Sequence, residues 1–141
     1  MKKAAKLYKR AAELGSMEAM VSLGIMYSRG DGVKLDKKKA ERLILAAAKT
    51  GHPIAQLNAG INSQDRGNFQ EAFRFYKMAA DQGYTNAEYS VAWLYHSGKL
   101  DTGINLDEAK RFYARAAAKG HEEAKATLAR LEALEARKRG A

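Results

Sequence analysis

Three histidines and the hydroxyl group that neighbours one of them are the first residues to consider for acid–base or nucleophilic chemistry in this chain. His96 precedes Ser97, but adjacency in sequence does not make a nucleophile–base pair, and no carboxylate is placed to orient the imidazole. His52 and His121 each follow a glycine and have no acidic or histidine neighbour at metal-ligand spacing. No cysteine is present, which excludes disulfides and thiolate sites. The sequence therefore predicts a non-enzymatic protein with no metal site and no cofactor.

The positive charge of the chain is the next feature that could bind something. The net charge is +9, and residues 1–49 hold 12 basic and 5 acidic side chains. Such a region attracts acidic partners and loses that attraction in salt, although it also serves solubility. We define the basic surface as Lys2, Lys3, Lys6, Lys9, Arg10, Lys37, Lys38, Lys39 and Arg42. Tyr8 alone stands among these cations, whereas stacking on bases requires regularly interleaved aromatic residues, so the pattern favours a protein partner, including an acidic one, over nucleic acid.

These residues lie on a repeated framework. An alanine, an aliphatic or aromatic pair, a double alanine and a glycine recur along the chain. The first alanine and the glycine are separated by the same eleven steps in Ala4 to Gly15, Ala40 to Gly51, Ala72 to Gly83 and Ala109 to Gly120. A period of this kind is typical of stacked helical arrays. Apolar residues at helical spacing, with no strand-forming runs, predict an all-α fold of about eight helices.

The repeat also predicts how the chain is organised. We expect a single repeat domain over residues 1–141, built from a leading half-repeat helix (1–16), three repeats (17–52, 53–84 and 85–121) and a capping helix (122–141). The middle repeat carries Asn62 and Ser63 where the preceding one carries Met26 and Tyr27. Because it should bury less apolar surface, we expect it to be the least stable of the three.

Several strings of residues resemble a known family. They are Leu23-Gly24-Ile25-Met26-Tyr27, Gly30-Asp31-Gly32-Val33, Phe75-Tyr76-Lys77-Met78-Ala79-Ala80 and Phe112-Tyr113-Ala114-Arg115-Ala116-Ala117. Together they resemble the Sel1-like repeat, a relative of the tetratricopeptide repeat, over nearly the whole chain. The resemblance implies a right-handed α-solenoid of antiparallel helix hairpins, used as an adaptor between proteins and carrying no catalytic residues.

The resemblance also implies a binding surface. In tetratricopeptide repeats the concave groove is lined by first-helix positions that correspond here to Val21, Ile25, Ser28, Leu57, Ile61, Gln64, Tyr89, Trp93 and His96. Spacings of four and three residues place each trio on one helical face. A groove with Tyr89 and Trp93 as anchors would suit an amphipathic helix or an extended peptide. The same positions also pack between repeats in the family, so binding and packing both stay open for them.

We therefore expect a scaffold or adaptor that binds a peptide or a partner helix in its concave groove. One alternative is a binder of nucleic acid or an anionic surface that uses the basic amino-terminal end. Another is a structural fragment of a longer repeat array, since the first helix has the pattern of a second helix. No apolar run approaches the length that spans a membrane. We expect no membrane insertion and a cytoplasmic location.

Overall fold

The computed structural model describes residues 2–140, with the side chain of Lys2 outside the described part. Eight helices and no strand occur among these residues, so the predicted all-α repeat fold is confirmed. The chain divides into two compact units. Unit 1 ends at Asn68 and unit 2 begins at Phe69.

Unit 1 contains four helices, each packed against the one before it. They are α1 (Lys2–Glu13), α2 (Met17–Arg29), α3 (Lys37–Lys49) and α4 (Pro53–Asp65). Three of them begin after a residue whose side chain accepts an otherwise free backbone N–H. These caps are Ser16 with Ala19 at 3.2 Å, Asp36 with Lys39 at 3.0 Å and His52 with Ala55 at 3.4 Å.

The core of unit 1 contains aliphatic side chains and the aromatic ring of Tyr27. Leu23, Tyr27 and Ala40 are buried together, and Ala12, Val33 and Leu43 pack against them. Gly24 lets α3 come close to α2, because a Cβ at this position would lie 3.0 Å from Cδ1 of Ile44. Close contact between α2 and α3 therefore depends on a missing side chain.

Unit 2 repeats this arrangement with larger side chains. Its helices are α5 (Phe69–Asp81), α6 (Thr85–Ser97), α7 (Leu106–Ala118) and α8 (Glu122–Gly140). Tyr76, Phe112 and Tyr113 are at most 2% exposed. The rings of Tyr95 and Phe112 lie 6.1 Å apart, and those of Tyr89 and Tyr113 lie 5.7 Å apart. Aromatic contacts thus join α6 to α7.

Candidate partner-binding site

Unit 1 contains an open cleft of about 440 Å³ between α2, α3 and α4. Its apolar lining includes Gly24, Ala40 and Ile44, all buried, and the more exposed Ile25 and Ile61. The polar lining residues are Ser28, Arg29, Lys37, Glu41, Asn58, Asn62, Asp65 and Arg66. The cleft therefore combines an apolar floor with polar walls, as small binding sites in proteins usually do.

The cleft opens where α4 carries short polar residues. Asn62 occupies the repeat position of Met26 in α2 and Leu94 in α6. Met26 is 7% exposed and Leu94 is fully buried, whereas Asn62 is half-buried. An amide at this position does not fill the space that an aliphatic side chain would fill. The weakness in the apolar pattern of the middle repeat is thus also the origin of the cleft.

Two carboxamide groups on the α4 wall are free to bind. Asn58 and Asn62 are four residues apart, so their side chains lie on one face of the helix. Neither side chain forms a hydrogen bond with another described residue. Each carboxamide has an acceptor oxygen and a two-proton donor nitrogen, which match the carbonyl and N–H groups of a peptide backbone. The sequence analysis did not place Asn58 and Asn62 among the candidate groove residues, although the four-residue spacing of these asparagines in α4 was available as a signal.

The charges around the cleft are partly neutralised. Arg66 at the end of α4 contacts Glu41 of α3, with 3.0 Å between the guanidinium and carboxylate groups. Both side chains are about half exposed, so this pair contributes little to stability. Arg29, Lys37 and Asp65 form no ion pair with any described residue. These three charged groups have no internal ion-pair partner among the described residues, so they can pair with charges on a bound chain.

Only some of the predicted groove residues of unit 1 line the cleft. Ile25, Ser28 and Ile61 do so, and the Ser28 hydroxyl donates to the Ile25 carbonyl at 2.7 Å. Leu57 and Gln64 are half-buried and lie outside its lining. Val21 is only 5% exposed, so it packs in the core and is not available to a partner. The spacing of four residues places Val21 on the same side of α2 as Ile25. It does not show whether a residue on that side lines the cleft or packs against a neighbouring helix.

The predicted trio of unit 2 lies in and beside an aromatic cluster. Tyr89 stacks on His121 with 4.5 Å between ring centres. His96 Nδ1 is 3.1 Å from the hydroxyl of Tyr113. Trp93 is half-buried. Tyr89 and His96 are therefore held by side chains of α7 and of the turn before α8, which restricts their freedom to follow a partner.

Burial also changes the acidity of two tyrosines in this cluster. Burial and the nearby Tyr89 phenol raise the pKa of Tyr113 to about 12, against a smaller opposing effect of Arg130. The pKa of Tyr89 is raised by burial first and then by its hydrogen bond to Glu123. Both phenols remain neutral hydrogen-bonding groups at physiological pH. Neither tyrosine is activated as a base or nucleophile, in keeping with a structural network.

The basic surface lies on the exposed sides of α1 and α3. All of its members beyond Lys2 are exposed. The ammonium groups of Lys9 and Lys39 lie 5.9 Å and 4.9 Å from the ring centre of Tyr27. Cations from α1 and α3 are therefore brought together on one buried ring of α2.

No cluster of three or more histidine and acidic side chains able to hold a metal ion is found within residues 2–140. In the same part of the chain, no helix has both the length and the apolar character needed to cross a bilayer.

The sequence profile of the Sel1 repeat matches residues 1–16, 18–52, 53–84 and 85–121. The chain belongs to the Sel1-repeat family. Sel1-repeat proteins are generally protein–protein interaction modules and are typically non-enzymatic. The resemblance drawn from the repeated strings is confirmed.

Two curated relatives share part of this sequence. An F-box protein of Arabidopsis thaliana is 34% identical over 101 residues, which are 70% of this chain and 27% of the relative. An uncharacterized protein of Neisseria meningitidis serogroup B is 31% identical over 98 residues, which are 66% of this chain and 20% of the relative. The Sel1-repeat chain thus corresponds to about a quarter of the length of these relatives, or less.

Two solved structures have the same fold. A Sel1-repeat protein from Oxalobacter formigenes matches with a TM-score of 0.86 and 30% identity, over 95% of this chain and 56% of the other. A protective antigen of uropathogenic Escherichia coli, described as displaying an SLR fold, matches with a TM-score of 0.80 and 29% identity, over 90% of this chain and 28% of the other.

Proposed function

We propose that this Sel1-repeat chain is a scaffold that binds a segment of a partner protein in the cleft of unit 1. In this proposal an apolar side chain of the partner contacts Ile25 and Ile61, while Asn58 and Asn62 hydrogen-bond its backbone. The observation that carries the proposal is the pair of unpartnered carboxamides beside an apolar floor. A volume of about 440 Å³ is in the range of specific small binding sites.

The function is binding without catalysis. The three histidines considered for catalysis have structural roles. Nδ1 of His52 and of His121 accepts a backbone N–H and so caps a helix, and His96 contacts Tyr113 in the aromatic cluster. A neutral imidazole whose Nδ1 accepts a backbone N–H carries its proton on Nε2, so neither ring nitrogen of His52 or His121 is free to act as a general base. A structural role for these three residues supports the scaffold proposal.

The organisation of the chain is part of the same proposal. We infer the repeats 17–52, 53–84 and 85–121 between a leading half-repeat and a capping helix, in a single repeat domain. That the chain is a structural fragment of a longer array stays a prediction of the sequence. A cytoplasmic location and the concave groove across all three repeats also stay predictions of the sequence.

Selection from a random-peptide library on the purified chain tests the cleft. Peptides that are enriched should bind Ile61→Gln at least about tenfold more weakly than wild type, because a polar end enters the apolar lining. Ile54→Gln is the matched control. Ile54 lies on the same helix, is 40% exposed against 41% for Ile61, and does not line the cleft.

A second variant tests the hydrogen-bonding wall. Asn58→Ala combined with Asn62→Ala should weaken the same peptides while thermal melting stays close to wild type, since both side chains have no internal hydrogen bond to lose. If no peptide is enriched, or if selected peptides bind the Ile61 and Ile54 variants equally, the cleft is not the binding site.

A further inference from the structure

The first turn of α3 differs in charge from the first turns of α5 and α7, which occupy the same position in their repeats. Its residues Lys37, Lys38 and Lys39 are all basic, and no acidic residue is present there. The position of Lys39 is occupied by Glu71 in α5 and by Glu108 in α7. Positive charge near a helix amino terminus opposes the helix dipole. The charges of these three lysines therefore oppose the dipole of α3, although Lys39 gains a contact with the Tyr27 ring.

The basic surface is also left without internal counter-charges. Among the described residues, none of its cations forms an ion pair. In α7 and the residue that follows it, by contrast, three cations are paired: Lys110 with Glu135 at 2.6 Å, Arg111 with Glu108 at 2.7 Å and Lys119 with Glu88 at 2.8 Å. The difference follows the charge of the two units. Unit 1 has 13 basic and 6 acidic residues, and unit 2 has 12 and 10.

We propose that the basic surface on α1 and α3 docks an acidic segment, rich in Asp and Glu, of a partner protein. Charge complementarity gives the chemistry, because unpaired ammonium and guanidinium groups from two helices face solvent together. Lys9 and Lys39 mark the centre of the surface, since both approach the Tyr27 ring. This surface goes beyond the cleft proposed above and meets it only at Lys37, which belongs to both.

The same centre favours a protein over a nucleic acid. Proteins that hold single strands stack bases on accessible aromatic rings. The ring that these cations share belongs to Tyr27, which is only 5% exposed. It offers no face for a base. What remains is a set of charge-assisted hydrogen-bond donors, which suit a run of carboxylates.

A charge-reversal pair tests the proposal on the full chain. The probe is a fluorescein-labelled peptide of alternating Glu and Ala, measured by fluorescence anisotropy at low ionic strength. The double variant Lys38→Asp with Lys39→Glu gives α3 the Asp-Glu pair that α7 has as Asp107 and Glu108. It should fold at least as well as wild type, because acidic residues suit a helix amino terminus. We expect it to bind the peptide about tenfold or more weakly.

The control carries the same change in net charge at another place. Arg137→Asp with Lys138→Glu alters the exposed end of α8 in unit 2, and it should bind the peptide within about twofold of wild type. Equal losses in both double variants would overturn the proposal, because attraction would then depend on overall charge. No binding of the peptide to wild type at low ionic strength would overturn it as well.

Two further measurements separate this surface from its neighbours. Ile61→Gln should bind the Glu-Ala peptide as wild type does. The two proposals are therefore tested separately: evidence against binding in the cleft does not count against docking on the basic surface, and evidence against docking does not count against the cleft. An oligodeoxythymidylate of the same charge should compete for the chain more weakly than the peptide. Stronger competition by the oligonucleotide would overturn the assignment of an acidic protein segment in favour of nucleic acid.

Discussion

The largest fully buried side chains are distributed unequally between the two units. In unit 2 they are Tyr76, Val91, Leu94, Phe112 and Tyr113, whereas in unit 1 they are Gln56 and Ser63. Both units have four helices in the same repeat order, so the repeat spacing fixes the backbone without fixing how much apolar volume is buried. Unit 2 uses its interior for packing. In unit 1, part of the space between the helices is an open cleft, and the basic surface on α1 and α3 has cations without ion-pair partners among the described residues.

The buried polar groups show the same contrast. Gln56 in α4 is neutral, and its Nε2 donates to the Ala48 carbonyl at 3.2 Å. Glu88 occupies the equivalent position in α6, is 3% exposed, and accepts from Lys119 at 2.8 Å. Lys119 also donates to the Gly83 carbonyl at 2.7 Å. A neutral amide can be buried with hydrogen bonds alone, but a buried carboxylate requires a counter-ion held in place.

The largest expected effect tests the aromatic core. Tyr113→Ala should lower the free energy of unfolding by about 3–5 kcal/mol, because it removes a fully buried ring. Tyr8→Ala is the matched change in α1 of unit 1. Tyr8 has the same repeat position but is 38% exposed, so about 0.5 kcal/mol is expected. Chemical denaturation of both variants measures the difference, and similar losses would contradict the contrast between the units.

A smaller effect is expected from the buried ion pair. Lys119→Met should cost about 2–4 kcal/mol, because the Glu88 carboxylate is then buried without a counter-charge. Lys125→Met is the control, since its partner Glu122 is 85% exposed and stays hydrated. If the two variants unfold at the same denaturant concentration, the ion pair between Lys119 and Glu88 does not contribute to stability.

Alkaline pH should weaken unit 2 through Tyr113. A tyrosine in the unfolded chain loses its proton near pH 10, roughly, whereas the folded-state pKa is about 12. The contribution of the neutral phenol is therefore complete below the first value and is lost as pH rises through the second. Tyr113→Phe should show a flatter fall of stability over this interval than wild type. Parallel curves would show that burial does not hold this phenol neutral.

The smallest expected effect is local. Amide hydrogens of α4 should exchange faster than those of α6, since α4 buries Ala55, Ala59 and Gly60 where α6 buries Ala87, Val91 and Ala92. A several-fold difference is expected. Hydrogen exchange read by mass spectrometry measures it, and equal protection of the two helices would contradict a softer middle repeat.

The sequence could predict the fold because its signals are local. The alanine and glycine positions repeat at a constant separation, and caps such as Asp36 and Asn105 stand directly before their helices. Such signals need no knowledge of distant contacts. Eight helices were therefore predicted, with boundaries close to those found.

The candidate site could be predicted only in part. The family resemblance placed Ile25, Ser28 and Ile61 in one groove, and these three do line the cleft. Packing was left open for Val21, and the sequence could not decide it, because the same helical phase serves a groove and an inter-helix contact. Asn62 was recognised as a poor core residue, but whether its amide finds a partner depends on side chains from other helices. Spacing within one helix contains no such information.

The close approach at Gly24 constrains how this sequence can evolve. A methyl group there would lie 3.0 Å from Ile44 Cδ1, so Gly24→Ala requires the side chain at position 44 to shift. At the equivalent positions the chain carries Ala92 and Tyr113, both buried. The acceptable residue at one site thus depends on the other, which is epistasis between two positions twenty residues apart. Recombination that exchanges whole hairpins preserves such pairs, whereas single substitutions have to cross an unfavourable intermediate.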